Sequence, residues 1–299
     1  MAEIVKNTVD IPVMAAEEEL TPPWKEAWLA FYKNRLALAG LGIVVLFIFI
    51  AIIAPWIAPY SYKEQILTER MQPPSSKHWF GTDDFGRDIF TRILYGARIS
   101  LWVGFFSVLG SVVIGTVLGI VAGYYGRWVD AIISRIFDIM LAFPSILLAI
   151  AVVSILGPSL QNALIAIAVI NIPNFGRLVR SRVLSVKQEE FIMAARAVGM
   201  KDARILFHHI LPNSISPVIV QATLAIATAI IEAAALGFLG LGAQPPSPEW
   251  GKMLADSKQY LVQAPWTLLF PGIAIMLTVL GFNLMGDGLR DALDPKMKQ

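Results

Sequence analysis

Long runs of apolar residues, separated by polar segments, dominate the pattern along this chain. A helix needs about 20 mostly apolar residues to cross the hydrocarbon core of a bilayer. Uncharged runs of that kind cover Leu36–Ala58 and Ile99–Gly126, and a longer one covers Ile139–Gly176. The third run is too long for one span. Gly157-Pro158-Ser159 predicts a tight turn that divides it, with the first of the two helices starting near Asp130.

Two more apolar stretches complete the set. A fifth span covers Pro217–Gly240, interrupted only by Glu232, and a sixth lies within Gln259–Gly286. The pattern therefore predicts an all-α integral membrane protein with six transmembrane helices.

Composition supports a membrane protein and removes several other classes. The chain is 56% hydrophobic and 15% charged, whereas soluble domains carry about 25% charged residues. With a net charge of +2 and only short basic clusters, no nucleic-acid partner is expected. There is no cysteine, and three histidines cannot by themselves build a metal centre, so no catalytic or metal site is predicted. Glu17, Glu18 and Glu19 stand where a secretory signal would be basic and then apolar, so none is expected.

The distribution of lysine and arginine predicts the orientation, because cytoplasmic segments are enriched in both. Of the 24 such residues, 16 lie in segments 1–35, 127–135, 177–204 and 290–298, and 8 lie in segments 63–98 and 252–258. Both termini are therefore expected in the cytoplasm. The chain divides into a cytoplasmic tail (residues 1–35), a first helix (36–58), an outer segment (59–98) and a core (99–299) with the other five helices.

The two outer segments carry residues with ordinary structural interpretations. Trp250 and Trp266, in the segment Ala243–Trp266, are expected as aromatic anchors at the outer interface. Asp88 and Arg92, four residues apart, are expected to pair on a short helix.

Two spans carry polar or small residues at helical spacing. Ser107, Ser111, Gly115, Gly119 and Gly123 form a ridge that allows close packing, either within this subunit, which we favour, or against a partner.

On the fifth span, Gln221, Thr228 and Glu232 fall within about 40° of one another around the helix axis. This stripe could line a solute path. Alternatively, Glu232 is a neutral acid hydrogen-bonded to a neighbouring helix, since an ionised group within the bilayer is costly. The sequence leaves both interpretations open.

The inner loop, residues 187–213, reads KQEEFIMAARAVGMKDARILFHHILPN. Glu190–Val198 has helical composition and ends at Gly199, a favourable C-terminal cap, and Lys201–Ile210 can form a second helix before Leu211-Pro212. The loop is therefore predicted to be a compact cytoplasmic hairpin with charged and apolar faces. Such a surface is expected to bind a partner, although packing on its own subunit is the alternative.

Residues of this hairpin resemble a known family. Ala194-Ala195, Gly199 and Leu211-Pro212 are similar to the EAA loop of ABC importer permeases, with Met193 where glutamate is usual and His209 where isoleucine is usual. Three further segments resemble dipeptide and oligopeptide permeases of the DppC/OppC type, most closely the dipeptide type. They are Phe80–Asp88, Leu236–Gly242 with Gln244-Pro245-Pro246, and Gly286–Pro295.

The resemblance implies the architecture of a type I ABC importer transmembrane domain in the inner membrane. It implies a second homologous permease, two ATPase subunits that bind ATP and Mg²⁺, and an extracytoplasmic substrate-binding protein, with no cofactor in this chain. The ATPase-coupling residues would be Ala194, Ala195, Arg196, Gly199, Lys201, Asp202, Leu211 and Pro212. The chain has no G-x-x-x-x-G-K-[ST] phosphate loop, so hydrolysis is expected elsewhere.

The sequence is also compatible with other functions. Nickel and glutathione permeases share the quoted segments with the peptide permeases. A secondary transporter that needs no ATPase would use Glu232 as a proton carrier. An intramembrane hydrolase is not favoured, because the sequence offers no nucleophile–base pair and no metal cluster.

Overall fold

A computed structural model of the chain describes residues 23–293, and no β-strand forms among them. Residues 1–22 of the predicted tail, and 294–299 with Asp294-Pro295 of the C-terminal segment, lie outside the described residues. The helices are α1 (Pro23–Lys33), α2 (Arg35–Ile57), α3 (Ile89–Tyr125), α4 (Arg127–Ala142), α5 (Ser145–Leu156), α6 (Leu160–Val186), α7 (Glu190–Ala197), α8 (Asp202–Ile205), α9 (Leu211–Phe238), α10 (Trp250–Ser257) and α11 (Trp266–Leu293).

Five helical segments are long and apolar enough to cross a membrane: α2, α3, α6, the continuous stretch Asp202–Phe238, and α11. The predicted third span is instead a pair of helices, α4 and α5, that meet at a 97° bend. Pro144 follows Phe143 at the break, and Phe143 is extended (φ −93°, ψ 142°) because the residue before a proline avoids the helical region. The six-span prediction holds with this bent pair counted as one span.

Helix α3 begins ten residues before the predicted start of the second span. At 37 residues it is about 55 Å long, which exceeds the hydrocarbon core of about 30 Å. Asp88 caps its first turn by accepting a 2.7 Å hydrogen bond from the backbone N–H of Thr91. The charged turns that were predicted as part of an outer loop are therefore helical.

The centre of the subunit is the contact of α3 with α6. All five residues of the predicted small-residue ridge are buried there. Ser111 Oγ donates to the carbonyl of Ala168 at 2.9 Å, and a Cβ atom at Gly119 would lie 2.5 Å from the carbonyl oxygen of Gly176. The favoured interpretation, packing within this subunit, is confirmed.

The outer segment is a folded layer with buried charges. His78 is 3% exposed, with Nδ1 at 2.8 Å from Asp88 Oδ1 and Nε2 at 3.0 Å from Glu69 Oε2. Arg92 lies 3.6 Å from Asp83 and donates to the carbonyl of Tyr62 at 3.2 Å. The expected Asp88–Arg92 pair is therefore wrong, because each residue has a partner from the folded outer segment.

Trp250 is also placed differently from the prediction. Its side chain is 0% exposed, and its indole N–H donates to the carbonyl of Ile93 at 3.2 Å. It is a core residue that joins α10 to α3, not an interface anchor. Trp266 is half-buried and donates to the carbonyl of Thr82 at 3.3 Å, so it too binds the outer layer.

The described part of the predicted tail is a helix packed on this subunit. Phe31 of α1 is buried with Ala37 of α2 and Ala292 of α11. Asn34 joins α1 to α2 and caps α2 through its side-chain oxygen, at 3.1 Å from the N–H of Leu36.

Candidate functional site

The inner hairpin turns at Gly199. This residue has φ +76°, as expected for a glycine that follows a helix, and an added Cβ would meet nothing within 4 Å. Its N–H donates to the carbonyl of Arg196 at 2.9 Å, and the N–H of Met200 donates to that of Ala195 at 3.0 Å. This pair of bonds is a Schellman motif, which sets the angle between α7 and α8. The predicted C-terminal cap at Gly199 is confirmed, and the residue is in the left-handed region.

The second arm of the hairpin does not end where the sequence suggested. Instead of stopping before Leu211-Pro212, α8 passes through a π turn at Leu206–Ile210 into α9. The N–H of Leu211 donates to the carbonyl of Leu206, five residues back. Pro212 would clash with the carbonyl four residues back in a regular helix, and the wider π turn accommodates its ring. The arm is thus a direct extension of the fifth span.

The hairpin has one face against its own subunit and one exposed face. Ile192, Ala195, Ile205 and Ile210 are buried in the main core. The exposed face carries Phe191, Met193, Val198 (79% exposed) and Phe207 (67% exposed). Of the predicted coupling residues, Ala194, Arg196, Lys201, Asp202 and Pro212 are exposed, Leu211 is half-buried, and Ala195 is buried.

The end of α3 holds the hairpin in place. Tyr124 Oη donates to Asp202 Oδ1, and Lys187 Nζ donates to the carbonyl of Tyr124 at 2.6 Å. The Arg196 guanidinium lies 5.5 Å from the centre of the Tyr124 ring, within cation–π range. The two arms of the hairpin are therefore both held to Tyr124 at the end of α3.

Glu232 of α9 makes a specific contact inside the apolar region. Its Oε2 accepts a 3.0 Å hydrogen bond from Asn171 Nδ2 of α6, and Asn171 Oδ1 accepts one from Asn174 at 3.4 Å. Asn171 is buried, Glu232 is half-buried and Asn174 is exposed. Both sequence interpretations therefore have a structural basis, since Glu232 is bonded to a neighbouring helix and is also accessible.

The other two residues of the predicted stripe lie further along α9. Thr228 is exposed and donates to the carbonyl of Ala225 at 3.0 Å. Gln221 lines a cleft of about 450 Å³ between α6, α9 and α11, which we call the α6–α9–α11 cleft. Eleven residues separate Gln221 from Glu232, which corresponds to about 16 Å along the helix. The three side chains form a line of separate polar positions, not one cluster.

Sequence reasoning missed several polar residues near this line. Asn171 and Asn174 lie in an uncharged run. They are three residues apart, which places them on the same face of a helix, and this spacing could have identified them. Arg182 and Arg290, which also line the α6–α9–α11 cleft, were counted only for orientation. No group of three or more histidine, aspartate or glutamate side chains suited to a metal ion occurs within residues 23–293.

Comparison with known proteins fits a helical transport subunit. Residues 115–299 match the family model "Binding-protein-dependent transport system inner membrane component", and residues 22–74 match "N-terminal TM domain of oligopeptide transport permease C". The long apolar helices described above agree with these matches, and together they define a membrane permease. The chain belongs to the family of binding-protein-dependent transport system inner membrane components, and it is an integral inner-membrane protein.

Named relatives cover nearly the whole chain. The dipeptide transport system permease protein DppC of Alkalihalophilus pseudofirmus is 67% identical over 96% of this chain and 97% of its own length. The glutathione transport system permease protein GsiD of Pectobacterium atrosepticum is 51% identical over 96% of both chains.

Solved structures show the same fold at low sequence identity. A chain of the MetNI methionine ABC transporter, in an inward-facing conformation, aligns with a TM-score of 0.55 at 21% identity, over 68% of this chain and 97% of that one. A chain of an amino acid ABC transporter aligns with a TM-score of 0.53 at 13% identity, over 66% of this chain and 92% of its own. The fold is that of an ABC importer permease.

Proposed function

We propose that this chain forms half of the translocation path of an ATP-driven importer for dipeptides and short oligopeptides. The observation that carries the substrate class is the 67% identity to a dipeptide permease over nearly the full length of both chains. A second, homologous permease supplies the other half of the path, and an extracytoplasmic binding protein delivers the peptide.

The inner hairpin is the proposed contact with two ATPase subunits, which bind ATP and Mg²⁺, while this chain holds no cofactor and catalyses no reaction. The exposed side chains of Val198 and Phe207 suit an apolar groove on such a partner. Because α8 continues through the π turn into α9, a push on the hairpin would act directly on the helix that carries Glu232. This arrangement requires the hairpin and both termini to be cytoplasmic.

The proposed path follows the polar line on α9. Glu232, supported by Asn171, offers a carboxylate to the amino end of a peptide, and Thr228 and Gln221 follow toward the cytoplasmic side. An exposed or half-exposed ionisable group in an apolar span is best explained by a water-filled cavity, because contact with lipid would cost at least about 2.5 kcal/mol.

Uptake into proteoliposomes tests this function. The complete complex, with a radiolabelled dipeptide and ATP, should show uptake that vanadate abolishes and that a protonophore leaves unchanged. Uptake that needs a proton gradient and no ATP would establish the secondary transporter in its place. The 51% identity to glutathione permeases makes glutathione the matched competitor. Uptake of glutathione or nickel ion, without dipeptide uptake, would contradict the assigned substrate.

A further inference from the structure

The α6–α9–α11 cleft carries two arginine side chains at its edge. Arg182 of α6 and Arg290 of α11 both line it, and both are exposed. Asn213, Ser216 and Gln221 of α9 add polar groups, and five apolar side chains complete the lining. The side-chain amide of Asn213 also donates to the carbonyl of His209 at 2.6 Å. The cleft thus offers cationic donors together with amide and hydroxyl groups.

Neither arginine is neutralised within the described residues. Arg177 and Arg180, on the same helix as Arg182, pair with Asp138 and Asp130 of α4. Arg182 and Arg290, by contrast, make no ion pair within residues 23–293, although Asp287 and Asp291 share helix α11 with Arg290. The guanidinium groups therefore remain available to an anion from outside the chain.

The position of the cleft relates it to the proposed path. It contains Gln221, the residue of the polar line farthest from Glu232, about 16 Å along α9. The path would thus carry the carboxylate of Glu232 at one end and the guanidinium groups of Arg182 and Arg290 at the other. These charges are complementary to the amino and carboxyl ends of a peptide. A fully extended dipeptide spans only about 7 Å, so it cannot touch both points at once. The two sites would act in succession, with the cationic one near the cytoplasmic exit.

We propose that Arg182 and Arg290 form a receiving site for the terminal carboxylate of the transported peptide, at the cytoplasmic end of the path. This rests on the proposed function. Arginine suits the role because its planar donors bind a carboxylate through two parallel hydrogen bonds. A lipid phosphate shares this oxyanion chemistry. The neighbouring amide and hydroxyl groups of Gln221, Asn213 and Ser216 match the peptide, which has its own amide to bond.

The test measures a preference within one assembled complex. The complete transporter is reconstituted, and the initial rate of ATP-driven uptake is measured for dialanine and for its C-terminal amide. The ratio of the two rates in each variant is divided by the wild-type ratio, so that the selectivity of the shared binding protein cancels. The variants are R182Q/R290Q and R182E/R290E. The matched control is R135Q, which removes an exposed arginine of α4 that does not line the cleft.

The glutamine pair should lower the acid-to-amide ratio about tenfold, the ratio that about 1.4 kcal/mol represents. The glutamate pair should lower it further, because it repels the carboxylate and attracts the positively charged amide. The control should keep the wild-type ratio. An unchanged ratio in the glutamine and glutamate pairs overturns the proposal.

A loss of uptake that is equal for the two solutes also overturns it. When that equal loss disappears in vesicles of phosphatidylcholine without phosphatidylglycerol, the cleft binds a lipid headgroup instead. If the wild-type complex takes up neither dialanine nor its amide, the proposed function itself fails, and this site fails with it.

Discussion

The turn at Gly199 allows the sharpest perturbation of the hairpin. Its φ of +76° is a conformation that side-chain-bearing residues seldom adopt, and branched ones least of all. Since an added Cβ would meet nothing within 4 Å, the Cβ atom itself creates no clash. The main effect expected of Gly199→Val is therefore on the backbone of the turn.

The magnitude follows from two alternatives for the valine variant. Retaining the left-handed conformation costs about 1–3 kcal/mol, with a β-branched residue at the upper end. Leaving it breaks the hydrogen bonds of 2.9 and 3.0 Å from Gly199 and Met200, each worth about 1 kcal/mol net. The two costs are similar, so a substantial fraction of molecules should lose the turn and redirect α8. Asparagine tolerates this conformation better, so Gly199→Asn is the matched control.

The assay compares ATP hydrolysis with peptide uptake in the reconstituted complex. Gly199→Val should insert and fold its spans normally, yet bind ATPase more weakly or hydrolyse several times more ATP for each peptide imported. Gly199→Asn should behave nearly as wild type. Lys201→Ala, which removes an exposed charge, should also be mild because exposed ion pairs contribute under about 1 kcal/mol. Normal assembly and normal coupling in Gly199→Val would refute the coupling role of this turn.

Three further predictions concern other parts of the chain. Glu232→Gln, which can keep the bond from Asn171, should preserve complex yield and lower uptake of a free dipeptide relative to its N-acetyl form; an unchanged ratio would make Glu232 purely structural. The carboxyl group of Glu249 caps the first turn of α10, and burial raises its pKa to about 7. The stability contributed by its protonated form is therefore full below the unfolded pKa and is lost progressively as the pH rises from there to about 7. Between about pH 5 and about pH 8, wild type should lose about 2.5 kcal/mol more stability than Glu249→Gln, and melting temperatures that change equally with pH in the two proteins would contradict this. Reporter fusions after Asn213 should report the cytoplasm and fusions near Ser76 the outside, and a cytoplasmic signal at Ser76 would exclude the six-span topology.

The sequence predicted those features that depend on local rules. Uncharged runs located the spans because crossing a bilayer requires an apolar helix of a certain length. Gly199 located the turn because its position after a helix favours a left-handed conformation. The ridge from Ser107 to Gly123 was predicted to pack closely, and its α6 partner became known only from the structure.

Features that depend on distant partners could not be predicted. Trp250 has the sequence context of an interface anchor, and only the folded outer layer buries it against Ile93. Asp88 has Arg92 at helical spacing, but His78, brought in from the outer segment, binds it instead. The π turn at Leu206–Ile210 forms because the helix continues through Leu211-Pro212. From sequence alone, the Leu211-Pro212 dipeptide could equally have ended the helix.

Site-specific cross-linking tests most directly the central claim that this permease couples to an ATPase through its inner hairpin. The chain has no cysteine, so single cysteines placed at Val198 or Phe207 report on these positions alone. In the assembled complex with ATPase subunits, each should cross-link to an ATPase through a short bifunctional reagent, and ATP should change the yield. A cysteine at Val262, which is 94% exposed in the segment predicted to lie outside, is the matched control and should not react with the ATPase. Failure of both hairpin positions, or a cross-link from Val262, would contradict the account.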